Sequence, residues 1–191
     1  GEAIVDKRVS FTGIPYINFP RITGRILNFV GIPSGKQMIS DPGIPKIVKS
    51  AEKNVKRAFI QQFFDDEGWP EPDQMKVAAS QCANVTGVLN KDFIDSIKGR
   101  ETIYLKDIPL ELRQKIEAPR LLIDLKEILK ENFDINSNIR FKRLLVRKEH
   151  ITGAFEWEIY RKEEVNKFFE RINFYSHTKR EKLEFMINRS R

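Results

Sequence analysis

The sequence predicts an α+β fold, in which amphipathic helices pack against an antiparallel sheet. Apolar residues recur at helical spacing in residues 50–67 and again in residues 120–133. Residues 139–147 and 155–160 instead predict the two strands of a hairpin. With 191 residues, of which 40% are hydrophobic, the chain can bury one substantial core or two small ones.

The N-terminal part of the chain differs in composition from the rest. Residues 1–50 are rich in Gly and Pro, which predicts turns. The apolar spacing of residues 22–30 predicts one short helix within them, closed by Gly31. Residues 26–32 also echo residues 128–135 weakly, which suggests the remnant of an internal repeat.

The middle of the chain begins with the first long helix. This helix starts at Ser50 and ends before Gly68, because Gly and the prolines after it are typical of residues just beyond a helix C-terminus. Residues 75–83 then predict a strand. Residues 86–119 predict an irregular stretch, with a helix starting near Pro109.

The C-terminal part has the clearest periodicity. Residues 120–133 predict an amphipathic helix, and the two strands of the hairpin follow around a turn at residues 150–153. Apolar residues at i, i+3, i+4 and i+7 in residues 165–172 predict a short helix that faces the core. We expect Thr178 to cap the last helix, with Glu181 completing a capping box.

The composition indicates a polyanionic partner. The chain has 34 Lys and Arg against 27 Asp and Glu, a net charge of +7, which favours nucleic acid ahead of a membrane surface. No apolar run is long enough to span a membrane, and no signal-peptide pattern is present. Cys82 is the only cysteine, so we expect a reducing, cytoplasmic location. His150 and His177 lack Cys or His partners at metal-ligand spacing, so no zinc site is expected.

The end of the first long helix, in residues 58–70, carries an unusual run of acids. Asp65, Asp66 and Glu67 lie in the last turn, where the helix dipole and the unpaired carbonyl groups are already negative. Each misplaced acid costs roughly 0.3–1 kcal/mol at a surface. A divalent cation is the simplest offset, since carboxylates bind such ions readily. The alternative is that these acids form only the solvated rim of a core helix.

Residues 59–68 resemble the LAGLIDADG motif of homing endonucleases, in the variant with an aromatic run before the acids. The nine motif positions fall on residues 60–68. The chain departs from the motif at the third position, where Gln62 replaces a small residue. The helix and hairpin after residue 120, the tail at residues 164–174 and two Ile-Pro turns are also similar to archaeal and intein-type members.

The resemblance implies a LAGLIDADG-type domain with the order α-β-β-α-β-β-α and an antiparallel, saddle-like sheet. It would occupy residues 51–191, preceded by a partial or degenerate N-terminal repeat in residues 1–50. In the family, the motif helices of two domains pack against each other, which implies a helix interface at Phe59, Gln62 and Phe63. Since the chain contains one recognisable motif, a homodimer or pairing with a second such domain is implied.

The resemblance also implies a metal site. In the family, the acid before the last Gly coordinates the metal over the DNA, which makes Glu67 a metal ligand and a catalytic residue. Asp66 and Gly68 complete the implied metal site, with Mg²⁺ or another divalent cation as the cofactor. Mg²⁺ needs only one or two protein carboxylates when phosphate oxygens supply the other ligands. Glu67 supplies one carboxylate, so a second, symmetry-related acid would complete the centre.

Accessory catalytic groups are implied near this metal. Lysines often accompany the metal in the family, and Lys148 or Lys142 would supply one here. Gln81 is the remaining candidate catalytic residue.

Double-stranded DNA is the implied partner, bound by the sheet in the major groove. The candidate contacts are basic residues of the strands: Lys76, Arg140, Lys142, Arg143, Arg147 and Lys148. Simple alternation places Arg140 and Lys142 on one face of the hairpin, and Arg143 and Arg147 on the other. The face opposite Phe155, Trp157 and Ile159 should be the exposed one. Alternatively, the charges only keep an edge hairpin soluble.

Three functions therefore stay open at the level of the sequence. The first is a metal-dependent, site-specific DNA endonuclease that hydrolyses phosphodiester bonds. The second is a cleavage-inactive nucleic-acid-binding protein of the same fold, such as a regulator or an RNA maturase, which Gln62 favours. The third is a structural or protein-interaction domain.

Overall fold

The computed structural model describes residues 6–9, 15–18, 25 and 41–189. The predicted helix of residues 22–30 lies outside the described residues. In chain order, the helices and strands are β1 (Asp6–Val9), β2 (Pro15–Asn18), α1 (Lys46–Lys49), α2 (Lys53–Glu67), β3 (Gly68–Glu71), β4 (Lys76–Asn84), α3 (Lys91–Ser96), β5 (Thr102–Tyr104), α4 (Leu110–Lys115), α5 (Arg120–Phe133), β6 (Asn138–Val146), β7 (Ile151–Ile159), α6 (Lys162–Arg171) and α7 (His177–Arg189).

The strands form a two-stranded sheet, β1–β2, and a five-stranded sheet in the order β3-β4-β7-β6-β5. Every neighbouring pair is antiparallel, which confirms the α+β class with an antiparallel sheet. Strand β3 follows helix α2 directly, without a loop. Its Pro70 is tolerated because β3 is an edge strand, where a missing backbone donor costs no ladder bond.

The segment at residues 86–119 is more ordered than the sequence predicts. It contains helices α3 and α4 together with strand β5, which adds the fifth strand to the sheet. Strand β5 is only three residues long, too short to show period-2 alternation in the sequence. Pro109 stands at the N-cap of α4, as expected.

The aromatic core joins the first long helix to the sheet and the C-terminal helices. Phe64 of α2 is fully buried, and its ring centroid lies 4.9 Å from those of both Trp157 and Phe168. Phe155 and Ile159 are also buried, as predicted for this face of β7. On the opposite face, which we call the open face, Ala154 and Glu156 are partly exposed, whereas Thr152 and Glu158 are buried. Because Phe64, Trp157 and Phe168 come from α2, β7 and α6, the helices cover one side of the sheet.

A β-bulge changes the predicted faces of the hairpin. Phe141 pairs with Phe155 and Arg143 pairs with Ala154, so Lys142 is the extra residue. The prediction that Arg140 and Arg143 occupy opposite faces is therefore wrong. Arg140 pairs with Glu156, two residues from Ala154 on β7, so both arginines stand on the open face.

The cap of the last helix also differs from the prediction. Helix α7 begins at His177 and therefore includes Thr178, the predicted cap. The Ser176 hydroxyl instead accepts a bond from the Lys179 amide at 3.5 Å. Asp65, 110 residues earlier, accepts bonds from the amides of Tyr175 and Ser176 at 3.0–3.2 Å. A carboxylate distant in sequence thus does what the local capping box was expected to do.

Hydrogen bonds connect residues 41–50 to the N-terminal end of α5. Asp41 accepts a bond from the Arg120 amide at 3.0 Å, and Asp124 accepts one from the Ile44 amide at 2.8 Å. Ile44 belongs to the hydrophobic core. Gly43 allows this approach, because a Cβ there would lie 2.2 Å from the Asp124 carboxylate. Among the described helices, none combines the length and apolar character needed to cross a bilayer.

Candidate functional site

The three acids that end α2 have different surroundings. Asp65 is half-buried and holds the start of α7. Asp66 is exposed and accepts bonds from the Gln62 side chain at 3.0 and 3.1 Å. Glu67 is exposed, and no hydrogen bond or ion pair joins its side chain to another described residue. Of the three, Glu67 is thus the carboxylate that the fold leaves available.

Lys179 supplies the positive charge that the end of α2 lacks. Its ammonium donates to the carbonyl groups of Phe64, Asp65 and Gly68 at 3.2, 2.6 and 2.6 Å. These carbonyls belong to the negative end of the helix, where a cation is stabilising. A protein side chain, as well as any bound metal, therefore offsets the run of acids. The Gly68 carbonyl already accepts from this ammonium, so a metal ion bound to it would lie beside a positive charge.

Glu67 lies at the rim of two adjoining clefts of about 250 and 430 Å³. Gln81 lines both clefts with it, so the structure brings these two candidate residues together. The first cleft opens along the edge of β4. Strand β3 pairs with β4 only as far as Gly68, which lies opposite Ala79. From Ser80 onward, no described strand pairs with this edge of β4.

The first cleft also contains residues that the sequence does not point to. Asp41 and Ser80 line it together with Glu67. Asp41 arrives there because its carboxylate caps helix α5 through the Arg120 amide. This contact spans 79 residues, and no local pattern in the sequence carries such information.

The first cleft is lined by oxygen donors, the kind that Mg²⁺ prefers, and also by the thiol of Cys82. Glu67 is the available carboxylate, and Asp66 lies next to it in the chain. Among the described residues, no group of three or more His, Cys, Asp or Glu is placed to hold a metal ion. One chain thus fits Mg²⁺ only in part, as the weak, water-retaining type of site that phosphate oxygens complete.

Lys148 lies away from this cleft. It follows β6, in the turn that leads to β7, whereas Gln81 pairs with Phe155 in the body of the sheet. Strand β7 begins at Ile151, four residues before Phe155, and Lys148 lies before Ile151. Lys148 and Gln81 are therefore separated by at least about 13 Å along the strand direction. The structure therefore does not bring Lys148 to Glu67.

The helix face predicted as an interface lines the second cleft. Phe63 is buried, Phe59 is partly buried and Gln62 is exposed. All three line the cleft, with Val48 and Leu121 among its apolar walls. The preceding Gln61 does not belong to this face, because it is buried and donates to the Ile172 carbonyl at 2.6 Å.

Three of the six predicted DNA contacts are held by acids on the open face of the sheet. Lys76 is only 7% exposed, and its ammonium lies 3.0 Å from Glu71 and 3.1 Å from Glu156. Arg140 forms an ion pair with Glu158, and Lys142 lies 3.5 Å from Glu156. Acidic neighbours therefore neutralise the candidate contacts at the centre of this face.

The ionisation of these groups follows from their pairing. Burial opposes the charge on Lys76, but its hydrogen bonds to Glu71 and Glu156 outweigh this effect and raise its pKa. Burial also opposes ionisation of Glu156, yet Lys76 and then Lys142 hold the pKa of its carboxyl below the usual range. Both partners therefore stay charged at neutral pH.

The other three predicted contacts are exposed. Arg143, Arg147 and Lys148 form no ion pair with the residues that the structure describes. Arg143 and Arg147 lie close enough to Cys82 to oppose the rise in the pKa of its thiol that burial causes. Arg143 is the nearer of the two in the sheet register, because it pairs with Ala154 and Ala154 pairs with Cys82.

The candidate site thus has two parts. One is the cleft with the available carboxylate of Glu67 beside Gln81. The other is the open face of the sheet, where the exposed basic groups that have no ion-pair partner among the described residues lie at the end of β6 and in the turn after it. No protein-family model and no curated protein sequence matches this chain.

Proposed function

We propose that this protein is a metal-dependent, site-specific DNA endonuclease of the LAGLIDADG type, which binds duplex DNA through the open face of its sheet. The observation that carries the proposal is the position of Glu67. It ends a core helix immediately before the sheet, exposed at a cleft, while the fold occupies the neighbouring Asp65. A surface charge kept free at the unfavourable end of a helix is better explained by a ligand than by stability.

The chemistry assigned to the cleft is phosphodiester hydrolysis. A bound Mg²⁺ would act as a Lewis acid on the phosphate and as a template for the attacking water. Glu67 and Asp66 would hold the ion, and the Gln81 amide would orient a water molecule or a phosphate oxygen at the edge of β4. Asp41, on the opposite wall, keeps its carboxylate on helix α5 and serves as a positioning residue.

A complete centre requires a second motif. The face of α2 that lines the second cleft, with Phe59, Gln62 and Phe63, would pack against the same helix of a second copy or of a related domain. That contact would bring a second Glu67 to the scissile region. The net charge of +7 supports a nucleic-acid partner, and a single cysteine suits a cytoplasmic location.

A cleavage-inactive nucleic-acid-binding protein of the same fold, such as a regulator or RNA maturase, is the alternative. Two observations favour it. Gln62, on the proposed interface, hydrogen-bonds to Asp66 and so engages one of the two exposed acids. Three glutamates lie within the proposed DNA surface and neutralise its central basic residues.

The decisive experiment compares Glu67→Gln with Asp73→Asn, an equal change of charge at an exposed carboxylate in the turn between β3 and β4. Cleavage of genomic DNA and of a randomised duplex library would be followed with Mg²⁺. We expect Glu67→Gln to lower the cleavage rate by about 10²–10³-fold, since metal ligation supplies several kcal/mol at the transition state. Duplex affinity should change by no more than a few-fold.

The Asp73→Asn variant should cleave like the wild type. Undiminished cutting by Glu67→Gln would refute the role of this residue. Duplex binding by the wild type without nicking under Mg²⁺ or Mn²⁺ would support the alternative function.

A further inference from the structure

The open face of the sheet is divided by charge into two regions. The paired centre consists of six side chains in mutual ion pairs: Glu71, Lys76, Arg140, Lys142, Glu156 and Glu158. The basic end consists of Arg143, Arg147 and Lys148. We propose that DNA phosphates contact only the basic end, and that the paired centre faces base edges; this inference rests on the proposed DNA binding.

The paired centre has no net charge to offer a phosphate, because three basic side chains face three acidic ones. One of its two lysines is also inaccessible, since Lys76 is 7% exposed and held by two carboxylates within 3.1 Å. Diverting Arg140 to a phosphate would leave Glu158, which is 4% exposed, without its arginine.

Such a diversion is unfavourable. The Glu158 carboxylate is buried and would keep an uncompensated charge, whereas a contact between an exposed arginine and a phosphate gains little in return. The carboxylates also repel phosphate, and Glu156 stays ionised because its pKa is held low by Lys76. A phosphate track across the centre would therefore be unfavourable.

The basic end has the opposite properties. Arg143 and Arg147 are exposed, and Arg143 stands beside the small residues Ala154 and Cys82 of the two neighbouring strands. Lys148 continues the charge into the turn after β6. The β-bulge at Lys142 is what brings Arg143 to the open face, so it also sets the boundary between the two regions.

The paired centre can still contact DNA, but through different atoms. A carboxylate oxygen only accepts hydrogen bonds, and the donors exposed in the major groove are the amino groups of cytosine and adenine. The side chain of Glu71 is 25% exposed, and its two oxygens accept from the Trp69 indole and the Lys76 ammonium. Each carboxylate oxygen keeps a second lone pair that can accept from a base amino group. Base edges, rather than phosphates, are thus the groups that suit the centre.

Salt dependence separates the two regions, because each phosphate contact adds about 0.9 to the slope of log Kd against log salt concentration. The dissociation constant for one duplex would be measured from low to moderate salt. We expect Arg143→Gln, Arg147→Gln and Lys148→Gln each to reduce the slope by about 0.9. Lys142→Gln is the matched control: it removes the same charge from the same strand, and Glu156 keeps Lys76 as its partner.

The outcomes distinguish this inference from the proposed function. If the wild type fails to bind duplex DNA at low salt, both the proposed function and this inference are wrong. If the wild type binds but Lys142→Gln lowers the slope as much as Arg143→Gln does, only the division of the face is wrong. All four positions are exposed, and thermal unfolding of each variant would verify that it remains folded.

Discussion

At the scale of single residues, the three adjacent carboxylates that end α2 have different contacts. Asp65 caps a helix that begins more than a hundred residues later, Asp66 pairs with Gln62 one turn back, and Glu67 is free at a cleft. Direction around the helix separates them, since successive residues on an α-helix point about 100° apart. Stability and chemistry are thus assigned to adjacent carboxylates.

This division predicts unequal effects of equal truncations. Asp65→Ala should lower the free energy of unfolding by about 0.5–2 kcal/mol, because it removes the acceptor for the amides of Tyr175 and Ser176 immediately before α7. Asp66→Ala should change it by less than about 0.5 kcal/mol, as expected for an exposed side chain. Urea denaturation of both variants measures the difference, and equal losses would contradict the assignment.

At the scale of elements, the decisive feature is the junction between α2 and β3. The helix passes into the strand at Gly68, whose backbone is extended with φ −102°. The glycine is required by space rather than by conformation, because a Cβ there would lie 2.5 Å from the Phe64 ring and 2.8 Å from its carbonyl oxygen. The junction holds Glu67 at a defined place relative to the sheet.

Overpacking at this junction provides a test. We expect Gly68→Ala to destabilise the protein by about 1–3 kcal/mol, since the new methyl group displaces a core phenylalanine. Gly87→Ala is the control, because a Cβ at Gly87 meets nothing within 4 Å. Thermal and urea unfolding should show the loss in the first variant alone, and a neutral Gly68→Ala would mean that Phe64 relaxes freely.

At the scale of the whole molecule, buried charges join elements that hydrophobic packing brings together. Glu164 of α6 is 5% exposed and accepts bonds from the Asn136 amide at 2.6 Å and from its side chain at 2.9 Å. Burial opposes ionisation of Glu164, but the bonds from Asn136 and then Lys167 outweigh it and lower the pKa of its carboxyl. The α5–β6 connection is thereby fixed to α6.

The lowered pKa predicts how stability depends on pH. A carboxyl with a lower pKa when folded stabilises the protein above its unfolded pKa, and this contribution is lost as the pH falls through the folded value. The stability difference between wild type and Glu164→Gln should be constant near neutral pH and shrink below about pH 4, under the ordinary Glu pKa. Urea denaturation between pH 3 and 7 measures it.

The neighbouring Glu163→Gln supplies the control, because Glu163 is 78% exposed and contacts the same Lys167. Its effect on the free energy of unfolding should be small at every pH in this range. A stability difference for Glu164→Gln that does not change with pH would show that the carboxylate charge contributes nothing.

Much of the fold could be predicted because its signals are local. Helix α5 spans the predicted residues 120–133, since hydrophobic periodicity depends on neighbours within a few turns. The predicted hairpin forms as β6–β7, but β7 begins at Ile151, within the predicted turn. The short strands β3 and β5 escaped prediction because they are four and three residues long. Their pairing partners, not their own sequences, make them strands.

The candidate site could likewise be predicted only in part. Glu67 and Gln81 are recognisable in the sequence and line one cleft, whereas Lys148 lies in a distant turn. Asp41, the third polar wall of that cleft, is invisible to local patterns because a cap on α5 places it there. The functional role of each of these residues stays a prediction for the experiments above.

The sequence by itself determined the class, the main helices, the hairpin and the presence of an acidic helix end, because periodicity and helix stop signals act over short distances. Only the tertiary structure decided which acid is free, which basic residues are already paired and which face Arg143 occupies. Those outcomes depend on a cap spanning 110 residues, on ion pairs across strands and on one bulge. Such contacts follow from the packing of distant segments, which no short stretch of sequence encodes.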